Sequence, residues 1–123
     1  MAYVYFCNNP LKKCIIGDCV IRAISKALHT TWDNVYIDLV MQGYSMKDMP
    51  SSNEVWRAYL NSKGFRRYSM PTACTIGEFA DTHKGTYVVG TGTHAVCVEH
   101  QNFYDTWNSK DELISFYYER EDF

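Results

Sequence analysis

The chain has 123 residues, of which 46% are hydrophobic and 15% aromatic, and its formal net charge is −2 at pH 7. This length and composition favour one compact domain, residues 1–123, and the near-neutral charge gives no electrostatic basis for binding nucleic acid. No apolar run approaches the roughly 18 residues that span a bilayer, and the N-terminal MAYVYFCNNP lacks the regions of a signal peptide. We therefore expect a cytoplasmic protein without a membrane or nucleic-acid partner.

The first two helices are predicted from their start and stop signals. Asp18 is a good N-cap for a helix over residues 19 to about 29, which carries an apolar stripe. Thr31 is a cap for a second helix over residues 32 to about 42, and Gly43 is its predicted end.

Two capping boxes predict the next two helices. Ser51 and Glu54 have the spacing that opens a third helix. Thr75 and Glu78 have the same spacing and open a short fourth helix that runs to about residue 83.

After the fourth helix the sequence period changes to that of strands. The segments GTYVVGTG, THAVCVEH, NFYDTW and LISFYYER are short, rich in β-branched and aromatic residues, and separated by turn residues. The order predicts an α+β fold in which N-terminal helices pack on a C-terminal antiparallel β-sheet.

The five cysteines are scattered along the chain and form no CxxC pair, which gives little support to a zinc site. They are Cys7, Cys14, Cys19, Cys74 and Cys97. In a reducing compartment we expect free thiols, most of them packed as small hydrophobic side chains. A redox role stays open for Cys7 and Cys14, which lie close to Cys19 in sequence.

Cys19 occupies a position where a thiol can become a nucleophile. At the first turn of a helix its sulfur lies near unpaired backbone N–H groups, and the helix dipole favours the thiolate. The alternative is a packed cysteine that happens to fall at a helix start.

A cysteine nucleophile needs a base, and the base needs a group that orients it. Among the four histidines, only His94 begins an apolar strand, and Asp105 closes the next predicted strand. If an even-length loop joins these strands, both side chains point to the same face. Trp107 emerges on the side of Asp105 and would cover a His–Asp hydrogen bond, although both His94 and Trp107 also suit purely structural roles.

The segments GDCVIRAIS, GTHAVCVEH and YDTWNS resemble, in that order, the Cys, His and Asp/Asn segments of papain-like cysteine peptidases. More narrowly, the chain resembles the small papain-like domains of bacteria and phages, and GDCVIRAIS is also similar to the nucleophile helix of ovarian-tumour-type deubiquitinases. The resemblance implies a papain-like fold with Cys19 as nucleophile, His94 as general base and Asp105 as orienting residue. It also implies cleavage of a peptide or isopeptide bond through an acyl-thioester, with no metal or organic cofactor.

The sequence departs from that family at the oxyanion site. Papain-like enzymes commonly carry a glutamine six residues before the cysteine, where this chain has Lys13. Asn8 or Asn9 is a suitable donor from the preceding loop, and we favour Asn8. Arg22, one turn after Cys19, is expected either to hold the thiolate or to pair with an acid such as Asp18.

Two other functions stay open at this stage. The chain can be a catalytically weak or inactive scaffold, a small phage-type protein that binds or inhibits a host partner through its aromatic side chains. An acyl-thioester can also be captured by an amine, which gives transamidation. The partner in each case is a protein or peptide whose identity the sequence does not specify, and the sequence predicts no oligomeric state. The loop over residues 43–53 is a candidate wall of a cleft.

Overall fold

In the computed structural model, residues 2–121 form four helices and a six-stranded mixed sheet, which confirms the α+β class. The predicted domain bounds include residues 1, 122 and 123, which lie outside the described part. The helices are α1 (Cys19–Leu28), α2 (Trp32–Met46), α3 (Asn53–Ser62) and α4 (Ile76–Thr82). The strands are β1 (Ala2–Tyr5), β2 (Phe65–Ser69), β3 (Thr86–Gly90), β4 (Ala95–Glu99), β5 (Asn102–Asp105) and β6 (Phe116–Arg120). Within residues 2–121, no helix combines the length and the apolar character that crossing a bilayer requires.

The strands lie in the order β1-β5-β4-β3-β6-β2. The four predicted strands pair antiparallel with one another, but β1 pairs parallel with β5, so the prediction of a purely antiparallel sheet is wrong. The sequence did not predict β1 or β2. β1 is a four-residue strand without clear turn signals, and β2 carries Arg66 and Arg67, charged residues that suit its place at a sheet edge.

The core is divided between the two faces of the sheet. Neighbouring residues of a strand enter different clusters, as Val88 and Val89 do, because successive side chains point to opposite faces. One cluster joins the sheet to α1, α2 and α3, and the other joins it to α4. α1 packs against β3, β4 and β5, and Cys19 at its start lies around the same cavity as Ala95, the first residue of β4.

Two predicted helix boundaries are wrong. α2 continues past Gly43, where a Cβ atom would lie 2.8 Å from the Asp48 carbonyl oxygen. Glycine at this position therefore allows the following loop to approach the helix closely rather than ending it. Ser52, not Ser51, caps α3 by accepting a hydrogen bond from the Glu54 N–H. The capping box of α4 and the Thr31 cap of α2 are confirmed.

Two cysteines form a disulfide, so the expectation of five free thiols is wrong for this pair. Cys7 and Cys14 are bonded, and their Cα atoms lie 5.7 Å apart. The chain between them turns back at Asn9, whose carbonyl and side-chain oxygens accept the backbone N–H groups of Lys12 and Leu11. Cys19, Cys74 and Cys97 are free.

Candidate active site

Cys19 is the first residue of α1, as predicted, and its side chain is partly exposed. It faces a cavity of about 240 Å³ that it shares with His94. The walls come from the 91–93 loop before β4, from Trp56 of α3 and from Ser51, which belongs to the loop predicted to line a cleft. The thiol is therefore accessible to a ligand.

His94 and Asp105 lie at the same end of the sheet and are hydrogen-bonded. His100 and Gln101 form the link between β4 and β5, where Glu99 pairs with Asn102, so the loop has the even length that puts His94 and Asp105 on one side. The His94 Nε2 lies 2.7 Å from the Asp105 Oδ2. The imidazole is 14% exposed and the carboxylate is fully buried. Because Nε2 is used in this way, Nδ1 is the nitrogen left for Cys19.

The pKa values of this group favour an ion pair. Burial raises the pKa of the Cys19 thiol, but hydrogen bonding by His94 and the Ala95 backbone, with the charges of His94 and Arg22, brings it below its ordinary value. Burial lowers the pKa of His94, but hydrogen bonds and charge from Asp105 and Cys19 raise it to about 9. A lowered thiol pKa beside a raised imidazole pKa favours thiolate and imidazolium at neutral pH.

The Asp105 carboxylate receives four donors, from His94, Ser109, the Thr106 backbone and Arg22. The Ser109 Oγ donates to Oδ2 at 2.6 Å, the same oxygen that binds His94. Burial raises the pKa of Asp105, but the hydrogen bonds from His94 and Ser109 and the charge of His94 hold it below its ordinary value. The carboxylate thus stays ionised and held in place.

A buried network extends from Asp105 into the helices. The Arg22 guanidinium donates to Asp105 at 3.1 Å and to Asp18 at 2.7 Å. Trp32 Nε1 donates to the other Asp18 oxygen at 2.9 Å. Asp18 holds the N-cap position of α1, but its side chain makes no capping hydrogen bond, so the predicted side-chain cap is wrong. The predicted pairing of Arg22 with an acid is confirmed.

Trp107 lies over the histidine. The two ring centroids are 5.4 Å apart, and the indole is 46% exposed. The side chain therefore covers His94 from the solvent side, and its reading as ordinary core is wrong.

The predicted oxyanion donor is engaged elsewhere. The Asn8 Nδ2 donates to the Ser25 Oγ of α1 at 2.7 Å, and Asn8 Oδ1 is buried without a hydrogen-bond partner among the described residues. Asn9 is buried in the turn closed by the disulfide, and Lys13 is exposed. The Asn8 amide is therefore bound to α1 at Ser25, six residues after Cys19, and not to Cys19.

Sequence reasoning missed Ser109 and Trp32 as parts of this site. Ser109 follows Asp105 by four positions within the turn-rich DTWNSK, where a serine has many ordinary uses. Trp32 reads as the first residue of α2 and gives no sign that its indole N–H binds Asp18. The four-residue spacing of Ser109 from Asp105 was the only feature of the sequence that pointed to either residue.

The other cysteines and histidines lie outside the site. Burial raises the pKa of the Cys97 thiol and of the Cys74 thiol, which disfavours the reactive thiolate. His29 ends α1, and His83 stacks on Phe79. Within residues 2–121, no three His, Cys, Asp or Glu side chains are grouped to hold a metal ion.

Comparison of the chain with protein-family models, curated proteins and solved structures finds no match. The site itself is thus the basis for a functional conclusion.

Proposed function

We propose that the chain is a cysteine hydrolase of papain-like type, which cleaves a peptide or isopeptide bond through an acyl-thioester on Cys19. The observation that carries this proposal is the hydrogen-bonded His94–Asp105 pair beside a thiol at a helix start. A histidine oriented by a buried carboxylate and coupled to a thiol is the arrangement that nucleophilic catalysis by cysteine requires.

In the first step the Cys19 thiolate attacks the carbonyl carbon of the substrate. A C–S bond forms, and the C–N bond breaks as the His94 imidazolium gives its proton to the leaving amine. Asp105 keeps the imidazole in one orientation and stabilises its charged form.

In the second step His94, now neutral, takes a proton from a water molecule. The hydroxide attacks the thioester carbon, the C–S bond breaks and the thiolate returns together with the imidazolium. If an amine takes the place of water, the same steps give transamidation, and a product mass spectrum distinguishes the two.

The Cys19 backbone N–H is one donor for the oxyanion, because the first N–H groups of a helix have no intrahelical partner. Asn8 is the proposed second donor, and this role requires its amide to leave Ser25. With a single fixed donor we expect slow turnover.

The first test is the pH dependence of Cys19 alkylation by iodoacetamide, mapped by mass spectrometry. We expect the apparent pKa of Cys19 to lie below that of an ordinary thiol in the wild type and to rise in His94→Ala. His29→Ala is the matched control, since His29 also contacts a buried carboxylate but lies away from Cys19. A Cys19 that is not alkylated, or whose apparent pKa is the same in His94→Ala, would overturn the proposal.

The second test captures the acyl-enzyme. With p-nitrophenyl acetate we expect a burst of p-nitrophenol and an acetyl group on Cys19, both absent in Cys19→Ala. Acetylation spread evenly over the lysines would contradict nucleophilic catalysis at this site.

A second candidate function is a binding or inhibitory protein on the same scaffold. The engagement of Asn8 with Ser25 supports it, because the oxyanion site then lacks a side-chain donor. Exposed apolar side chains also support it, among them Ile15 at 99% exposure. A stable complex that survives Cys19→Ala would favour this function over hydrolysis.

The placement in a cytoplasm stays a prediction. The Cys7–Cys14 disulfide weighs against it, since such bonds persist mainly in oxidising compartments.

A further inference from the structure

A second cavity, of about 270 Å³, lies between α1, α2 and the loop before α3. Its walls are formed by Val20 and Ile21 of α1, by Tyr36, Leu39 and Val40 of α2, and by Pro50. None of the lining side chains carries a charge. An uncharged apolar cavity of this size suits an aliphatic or aromatic group.

This apolar cavity adjoins the cavity that contains Cys19. Gly17, Val20 and Ser51 line both. Val20 follows Cys19 directly in the chain, so the apolar cavity begins next to the residue that carries the sulfur. A group attached close to an attacked carbonyl would therefore lie near the apolar cavity.

The rim remains open to a ligand. Tyr36 is 47% exposed and Val40 is 39% exposed, so both present apolar surface that nothing else in the described chain covers. Burial of such surface by a ligand group is favourable by about 25 cal/mol per Å². Gly17 adds no side chain at the junction, and a Cβ placed there would meet no atom within 4 Å.

We propose that this apolar cavity is the specificity subsite of the Cys19 site, and that it takes an uncharged aliphatic or aromatic side chain of the peptide next to the bond under attack. The inference rests on the proposed function for the identity of the attacking group. It adds the substrate class, which is a peptide with an apolar residue at that position.

The experiment compares three haloacetamides of different side group: iodoacetamide, N-benzyl iodoacetamide and N-carboxymethyl iodoacetamide. In each reaction the Cys19 thiolate forms a C–S bond to the methylene carbon and iodide leaves. Rates at Cys19 are followed by mass spectrometry and divided by the rates with N-acetylcysteine, which removes the intrinsic reactivity of each reagent.

We expect the corrected rate of the benzyl reagent to exceed that of iodoacetamide by roughly tenfold, and the carboxymethyl reagent to be the slowest, because an apolar cavity favours the ring and disfavours the charge. Val40→Asp places a charge at the rim and should abolish the preference for the benzyl reagent. Val40 makes no part of the Cys19–His94–Asp105 group, so the rate with iodoacetamide should stay unchanged.

Ile37→Asp is the matched control. Ile37 lies on the same helix, is 59% exposed and does not line the cavity, so this variant should keep the benzyl preference. Equal corrected rates for the three reagents in the wild type, or equal loss of the preference in both variants, would overturn the subsite. Slow alkylation of Cys19 by all three reagents would instead contradict the proposed function. The ratio of the corrected rates would still show whether the apolar cavity favours the benzyl group.

Discussion

Two buried carboxylates in this protein each hold a histidine, but the nearby thiols differ: the pKa of Cys19 is lowered beside the Asp105 pair, whereas burial and the charge of Glu99 raise the pKa of Cys97. His94 Nε2 lies 2.7 Å from Asp105, and His29 Nε2 lies 2.6 Å from Glu99. Both carboxylates are almost fully buried, and both have their pKa held below its ordinary value, by donors that outweigh burial. The pairs differ in what surrounds the ring.

The His29 ring is 58% exposed at the end of α1, whereas the His94 ring is 14% exposed and lies beneath Trp107. Glu99 is further held by Thr86 and by the partly exposed Lys26. An acid–histidine pair is therefore not in itself a catalytic arrangement. What distinguishes the Asp105 pair is burial of the ring next to Cys19 at a helix start, at the end of α1 opposite to His29.

The largest expected effect comes from the thiol. Cys19→Ala should abolish both the p-nitrophenol burst and any peptide turnover, because no other group forms the acyl intermediate. Its effect on the free energy of unfolding should stay within about 1 kcal/mol, since the side chain is partly exposed. Cys97→Ala is the control, and it should keep the burst. Full activity in Cys19→Ala would show that Cys19 is not the nucleophile.

Asp105→Asn and Glu99→Gln compare the two carboxylates directly. We expect Asp105→Asn to lower the rate of acylation about 10²-fold, because His94 loses its orienting charge and its pKa falls from about 9. Each variant also leaves a buried cation or donor without its charged partner and should cost about 1–3 kcal/mol of stability by chemical denaturation. Glu99→Gln should leave the rate unchanged, and a comparable loss of rate in it would show that the measurement reports stability alone.

The pH dependence separates alkylation from turnover. Hydrolysis needs the imidazolium proton, so its kcat/KM should fall about tenfold per pH unit above pH 9, while alkylation of the thiolate should not fall. The shifted pKa values of His94 and Asp105 make the free energy of unfolding depend on pH in opposite directions. The raised pKa of His94 contributes stability that is complete below pH 6.5 and is lost as the pH rises through 9. The lowered pKa of Asp105 contributes stability above pH 3.8 that is lost on acidification. Turnover that persists at pH 10 would contradict His94 as the proton donor.

The smallest expected effect comes from removing the hydroxyl group that donates a hydrogen bond to each of the two carboxylates. Ser109→Ala and Thr86→Val each remove one hydroxyl, from Asp105 and from Glu99 respectively. Each should lower the free energy of unfolding by about 1 kcal/mol. Only Ser109→Ala should also change the rate of acylation, by a few-fold, and shift the alkaline limit of the pH profile. Equal rates of acylation in the two variants would show that Ser109 has a structural role only.

The sequence by itself determined features that depend on near neighbours. The start of α1 at Cys19 and the start of α4 after Thr75 were predicted from residues within one turn, and at Thr75 the side chains of the capping box do bind the backbone N–H groups. The strands β3–β6 follow from a period of two. His94 and Asp105 were within reach of sequence reasoning because they lie on consecutive strands, where loop parity alone decides whether they meet.

Only the tertiary structure decided the pairs that are distant or that depend on the path of a loop. β1 joins β5 across almost the whole chain, and Arg22 meets Asp105 across 83 positions. The turn at Asn9 brings Cys7 to Cys14, and the path of the same segment directs Asn8 to Ser25 rather than to Cys19. The physical reason is the same in each case: periodicity and capping are local properties of the backbone, whereas these contacts depend on how packed helices and strands position remote segments.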